Sequence, residues 1–226
     1  MSVLAWHFVG ATLRDGRAVP PDGETLIHDG PLELCASGLH ASERIIDVLQ
    51  YAPCSTVCRV QCDGEMQRGA DKLVCAQRTI LWRLDATDVL RSFARRCALD
   101  VAHLWKMPPV VRQYLETGDE TIRAVARSAA ASAAARPAAA RDAARAAARD
   151  AAASAAAWDA ASAAASAAAS AAASAAAWAA AWAEDRHAAW AEDRHAARAA
   201  ASAAARDAAR AAQNTLLTTM VEAVRL

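Results

Sequence analysis

Residues Ala160–Ala183 read AASAAASAAASAAASAAAWAAAWA, with Ser or Trp at every fourth position and no charge. The pattern extends in both directions. From Ser154 to Arg210 a Ser, Trp or Arg recurs every fourth residue, and the unit WAEDRHAA occurs at 182–189 and again at 190–197. Alanine has the highest helix propensity, and neither Gly nor Pro follows Pro137. The stretch 124–212 is therefore predicted to be helical. A four-residue step advances about 40° beyond a full turn of a 3.6-residue helix, so the larger residues wind around a straight helix and mark no fixed face. A lone rod would leave its alanine in water. The stretch is expected to bury alanine by folding back, by supercoiling (a marker period above 3.6 favours the right hand), or by self-association or contact with a protein partner. Pro137 is the expected break, and Arg141, Arg145 and Arg149 set like charges four apart. Trp178, Trp182 and Trp190, with Arg186 near Trp182, read as a packing seam rather than a platform for nucleobases. A last short helix is expected within 213–226, near the capping pattern Thr219-x-x-Glu222.

Upstream the composition changes. All eight Gly, all six Cys and six of the seven Pro lie at or before Gly118. This part reads as a small α+β domain over 1–86, with a helical connector over 87–123 leading into the repeat. Residues 1–123 carry 14 Lys and Arg against 16 Asp and Glu, and residues 124–226 carry 11 against 9. Neither half presents the one-signed field that binds nucleic acid or anionic lipid. Ala160–Ala183 is long enough to span a bilayer but lacks the Leu, Ile, Val and Phe that make insertion favourable. No signal peptide is read at the N-terminus. The expectation is a cytoplasmic chain with reduced thiols.

Within the first domain, Val3–Val9 reads as a strand, and Asp15-Gly16 as a hairpin turn. Short strands are expected at Glu24–His28 and Leu32–Cys35. Ser42 is a suitable N-cap for a helix over Glu43–Tyr51, with Ile45, Ile46 and Leu49 on its apolar face, and Pro53 ends it. Ser55–Cys62 alternates as a half-buried strand and Asp63-Gly64 is expected to turn it. Leu73–Ala76 and Arg78–Leu84 are further strands. Thr87 is expected to cap a helix reaching about Lys106. Pro108-Pro109 opens another, which Gly118 closes, and Asp119 is placed to cap the next.

Cys54, Cys58 and Cys62 are four apart. That spacing suits buried thiols on a strand, and no Cys or His pair has zinc-like spacing, so no metal site is expected. His103 is expected near a helix C-terminus, where partial positive charge is favourable. The stretch Gly38–Tyr51, GLHASERIIDVLQY, resembles the segment of poly-ADP-ribosyltransferases in which Gly-Ile-Tyr-Phe-Ala opens a short helix ending in Tyr. In that family the third residue and the terminal Tyr line the nicotinamide pocket of NAD. The resemblance implies that His40 and Tyr51 line such a pocket, that His7 supplies the family's early-strand His, and that Glu65 or Asp71 stands for its catalytic Glu. The chain departs from the family pattern in having His40 where Tyr is usual, and no Gly-Ser/Thr after His7.

A wider likeness runs through Gly38-Leu39-His40-Ala41-Ser42, Asp63-Gly64-Glu65, Asp71-Lys72-Leu73 and the alanine/Trp/Arg repeat. In these the chain resembles a family of uncharacterised bacterial and phage proteins, a likeness that carries no activity with it. The biochemical function is thus unknown from sequence. The leading expectation is a non-enzymatic interaction or assembly protein with an alanine-rich helical scaffold and no cofactor. The alternative is an NAD-dependent ADP-ribosyltransferase-like head.

Overall fold

The computed structural model describes residues 2–13, 15–133, 157–184 and 191–225. The chain is α+β: an antiparallel sheet comes first and helices follow. The strands are β1 (Val3–Phe8), β2 (Thr25–Ile27), β3 (Leu39–Ala41), β4 (Thr56–Arg68) and β5 (Leu73–Asp85). They lie in the order β1-β4-β5-β2, and β3 also pairs with β5. Residues 73–75 of β5 take β3 and residues 77–79 take β2, so the two short strands lie end to end along one edge.

The sheet curls back on itself. Trp6 N–H donates to the Ser42 carbonyl at 2.7 Å, and Ser42 N–H returns a bond to Trp6 at 3.0 Å. This bridge sets the residue following β3 against β1. The strands enclose an apolar cluster of Ala5, Val9, Leu39, Cys58, Val60 and Ile80 with their neighbours. Burial of such side chains, at roughly 25 cal/mol per Å² of apolar surface, is the main force holding the strands in register.

Two strands are longer than expected. Asp63-Gly64 does not end β4. The register shifts between Asp63 and Met66, and the strand runs on to Arg68. Gly64 sits at φ +75° in this bulge, a conformation such bulges favour. Met66, just beyond, packs against the core cluster, so its burial outweighs the local turn signal. Likewise Leu73–Ala76 and Arg78–Leu84 are one strand. Leu32–Cys35 forms no strand; it enters a tight turn in which Ser37 N–H donates to the Glu33 carbonyl at 2.9 Å. The Asp15-Gly16 turn does form, with Leu13 N–H donating to Arg17 across it at 2.8 Å.

The helix expected over Glu43–Tyr51 is shorter. It is α1 (Ile45–Val48), continued as a 3-10 turn over Leu49–Tyr51. Ser42 is not its cap. The Ser42 hydroxyl donates to the Asp71 carbonyl at 2.7 Å instead, and Arg44 takes the N-cap position with no side-chain hydrogen bond.

Among the described residues the chain divides into two compact units: 2–90 with 157–158 and 217–225, and 91–133 with 159–184 and 191–216. In the first, Trp6 and Trp82 meet edge to face at 5.8 Å, Arg59 stacks over Trp6 at 4.5 Å, and Arg225 covers Trp82 at 4.9 Å.

The helices are α2 (Thr87–Asp100), α3 (Pro109–Thr117), α4 (Arg123–Ala133), α5 (Ala157–Glu184) and α6 (Ala191–Arg225). α2 stops short of Lys106, and a 3-10 turn over Ala102–Leu104 carries His103. Pro109 opens α3, and Gly118 closes it in the left-handed region at φ +70°. Asp119 accepts from Thr121 N–H at 2.9 Å in the turn before α4. α6 runs unbroken past Thr219, so no separate helix begins there.

α5 buries alanine, while on α6 the buried side chains are Gln213, Leu217 and Val221 among the described residues. Ala164, Ala165, Ala167, Ala168 and Ala171 on α5 are buried. Gln213 Nε2 donates to the Ala165 carbonyl at 3.0 Å, and Ser202 Oγ to that of Ala173 at 3.3 Å. One residue number rises as its partner's falls, so the pair is antiparallel. The expected break at Pro137, the row Arg141–Arg145–Arg149, and Arg186 and Trp190 lie outside the described residues, as do the side chains of Trp178 and Trp182. Among the described residues no helix is long and apolar enough to cross a membrane.

Candidate functional site

A cleft of about 910 Å³ opens in the first unit. That is within the range of small-molecule sites. Its walls come from the end of β1, residues 10, 12 and 13 with Asp15 and Arg17, the segment 35–42, the 3-10 turn after α1, Lys72 just before β5, and Arg78 on β5. His7, His40 and Tyr51, far apart in sequence, all line it. The bridge between Trp6 and Ser42 is what brings the first two together, since it fixes β1 beside the residues following Gly38.

His7 lies opposite Cys58 in the β1–β4 register. Enclosure of its ring holds its pKa well below the ordinary 6.5, and the Arg78 charge, followed by the nearby His40, acts in the same direction. His7 is therefore a neutral imidazole at pH 7, able to accept or donate one hydrogen bond. His40 is committed to the backbone. Cys35 N–H donates to its Nε2 at 2.9 Å, and its Nδ1 meets the Gly38 carbonyl at 3.2 Å. With Nε2 accepting, the proton sits on Nδ1, and what the ring offers a ligand is its face.

Tyr51 stands at the rim, half exposed. Its hydroxyl donates to Asp71 Oδ2 at 2.7 Å, where Gln50 Nε2 also donates at 2.8 Å. Lys72 Nζ sits 4.1 Å from the Tyr51 ring centroid and donates to Cys35 Sγ at 3.2 Å. Those partners raise the Lys72 pKa, Tyr51 first and Cys35 second. Cys35 is the one non-glycine among the described residues with positive φ, at +71°.

Glu65 does not join this group. It is exposed on β4 and is not part of the cleft wall. Asp71 is not on the wall either; its carboxylate reaches the site through Tyr51, and its carbonyl through Ser42. Asp15, also on the cleft wall, is paired with Arg17 at 2.8 Å, whose hydrogen bonds lower the carboxyl pKa.

Arg78 is the residue that the sequence reading passed over. It is 3 % exposed, and Nη1 donates to the His40 carbonyl at 2.5 Å. Its Nε–H is buried without an acceptor. The alternation of Arg78-Thr79-Ile80 already puts Arg78 on the face of Ile80, and Ile80 is core. An arginine in phase with core residues is the signal that could have found it.

None of the six cysteines forms a disulfide. Cys58 and Cys62 are buried on the core side, as their spacing suggests. Among the described residues no group of three His, Cys, Asp or Glu could hold a metal ion.

Residues 3–92 match the model of a protein family described as a domain of unknown function (DUF7666). The match takes in the whole sheet and every residue of the cleft wall, and ends within α2. No curated protein and no solved structure matches the chain.

Proposed function

We propose that the first unit binds a dinucleotide of the NAD class in the cleft, with Tyr51 and the faces of His40 and His7 forming the end that receives a flat heteroaromatic ring. The observation that carries this reading is the convergence of His7, His40 and Tyr51 on one cavity of about 910 Å³. Binding is the part this geometry supports. An ADP-ribosyltransferase needs a carboxylate at the reacting carbon, and Glu65 lies off the wall. Glu65→Gln is therefore expected to leave NAD binding unchanged.

The reading of the alanine-rich helices as an assembly surface has less to support it. It rests on alanine in need of burial, and α5 already buries much of its alanine within the chain.

The test is calorimetric titration of the full chain with NAD, alongside a nicotinamide-release assay. Saturable binding, weakened by Tyr51→Ala, supports the reading, and release of nicotinamide would add turnover to it. The absence of heat and of any thermal shift at millimolar NAD would sink it.

A further inference from the structure

Arg78 carries a buried charge that no carboxylate among the described residues balances. Among the described residues no carboxylate forms an ion pair with it. The ionisable neighbours that favour its protonated form are the thiols of Cys62, Cys75 and Cys58. Burial pushes the Cys58 thiol up to about 12, so it stays uncharged at neutral pH. Burial also draws the guanidinium pKa below its ordinary 12.5, yet arginine keeps its proton in proteins. The side chain is thus a cation with one carbonyl bond from Nη1 and a buried, unused Nε–H. An unpaired buried charge is costly. A core built only for packing would hold an apolar residue here, as it does two positions on at Ile80.

The charge is not sealed off, because Arg78 lines the cleft. Lys72 and Arg17 also line it, against one carboxylate, Asp15, which Arg17 already engages. The cavity therefore has a cationic lining that includes a buried guanidinium.

We propose that Arg78 is the anion anchor of this cleft and binds a phosphate group of the ligand through its Nε–H edge, with Lys72 as a second cation at the rim. That edge of a guanidinium presents two parallel N–H donors, the geometry that grips phosphate oxygens in pairs. A doubly charged phosphate suits the lining better than a carboxylate, since three cations face one neutralised acid. The proposal rests on the dinucleotide reading for the identity of its ligand, where the anchored group is a phosphate of the pyrophosphate. The anchor itself needs no nicotinamide.

The experiment titrates the full chain with inorganic pyrophosphate, ADP-ribose, NAD and adenosine at matched ionic strength. His7 is followed by imidazole NMR. Pyrophosphate and ADP-ribose are expected to bind and adenosine is not. An anion seated on Arg78 cancels a charge that depresses the His7 pKa, so His7 is expected to titrate at higher pH in the complex. Arg78→Lys keeps the charge and loses the paired donors; it is expected to weaken ADP-ribose binding by at least about tenfold, with folding checked by circular dichroism. If Arg78→Lys does not fold, the wild-type His7 shift decides. No binding of pyrophosphate or ADP-ribose and no His7 shift overturns the proposal, as does full ADP-ribose affinity in a folded Arg78→Lys. The two readings separate cleanly. Pyrophosphate binding without NAD binding keeps the anchor and removes the dinucleotide, while NAD binding unaffected by Arg78→Lys does the reverse.

Discussion

The Tyr51 hydroxyl donates to Asp71 Oδ2 at 2.7 Å, tying the 3-10 turn after α1 to the start of β5. The same carboxylate oxygen accepts from Gln50, and Lys72 covers the Tyr51 ring. One acid thus holds the rim in place. Tyr51→Phe keeps the ring and the cation contact and loses one hydrogen bond. Because Tyr51 is half exposed, water replaces much of that bond, and the expected loss is under about 1 kcal/mol. Asp71→Ala releases both donors and is expected to cost more. Urea midpoints for the two variants check the order; an equal or larger loss in Tyr51→Phe would show that Asp71 is not the organising group.

Gly38 opens the segment that carries His40. Its φ is +105°, and a Cβ there would lie 2.4 Å from Val74 Cγ2 and 2.8 Å from Leu32 Cδ2. Val74 is fully buried on β5 and cannot swing away. Gly38→Ala combines backbone strain with overlap and is expected to destabilise by about 2–4 kcal/mol. Gly16 is the control. It has φ +84° but nothing within 4 Å of its would-be Cβ, so Gly16→Ala is expected to cost only about 1 kcal/mol. Chemical denaturation of the pair checks the difference, and similar costs would mean that the fit around Gly38 is loose.

Short-range features were readable from sequence, and features set by distant partners were not. The alanine helices follow from propensity, α3 from its Pro and Gly signals, and the burial of Cys58 and Cys62 from alternation. Gly64 read as a turn because turn chemistry is local, while the burial of Met66 that carries β4 through it is not. Ser42 read as a cap because nothing nearby revealed that its hydroxyl goes to Asp71, 29 residues away. The cleft was half legible. His40 and Tyr51 stand in one segment, and His7 joined them by resemblance. Arg78 needed the knowledge that its face of β5 is the inner one, which is settled only when β3 and β1 meet at Ser42 and Trp6.

His7 imposes a pH dependence on stability. Its pKa in the folded protein lies well below the ordinary 6.5, so between those two values the unfolded chain binds a proton that the folded chain refuses. Stability then rises with pH through that window and falls on acidification below about 6.5. Above it His7 is neutral in both states and contributes no slope. His7→Phe removes the titration and is expected to flatten this part of the profile. Thermal midpoints from pH 7.5 down to pH 5 check it, and an unchanged slope in the variant would move the effect to another group.

The packing of α5 makes the last test. Ala171 is fully buried, whereas its neighbour Ser170 is exposed, as is Ser166 one marker step earlier. By Ser174 the row is only partly exposed, which is the drift of about 40° per step that a four-residue repeat imposes on a 3.6-residue helix. Alanine therefore lies on the buried side of α5, and Ser is the residue that can be enlarged on the exposed side. Ala171→Leu inserts three carbons where no space exists and is expected to cost about 1–3 kcal/mol. Ser170→Leu adds a side chain of the same size to solvent, with good helix propensity, and is expected to change stability by less than about 0.5 kcal/mol. Denaturation midpoints separate the two, with circular dichroism confirming helix in both. If Ser170→Leu were the damaging change, the exposed row would be a contact surface, and size-exclusion chromatography at two concentrations would then show whether it joins copies of the chain.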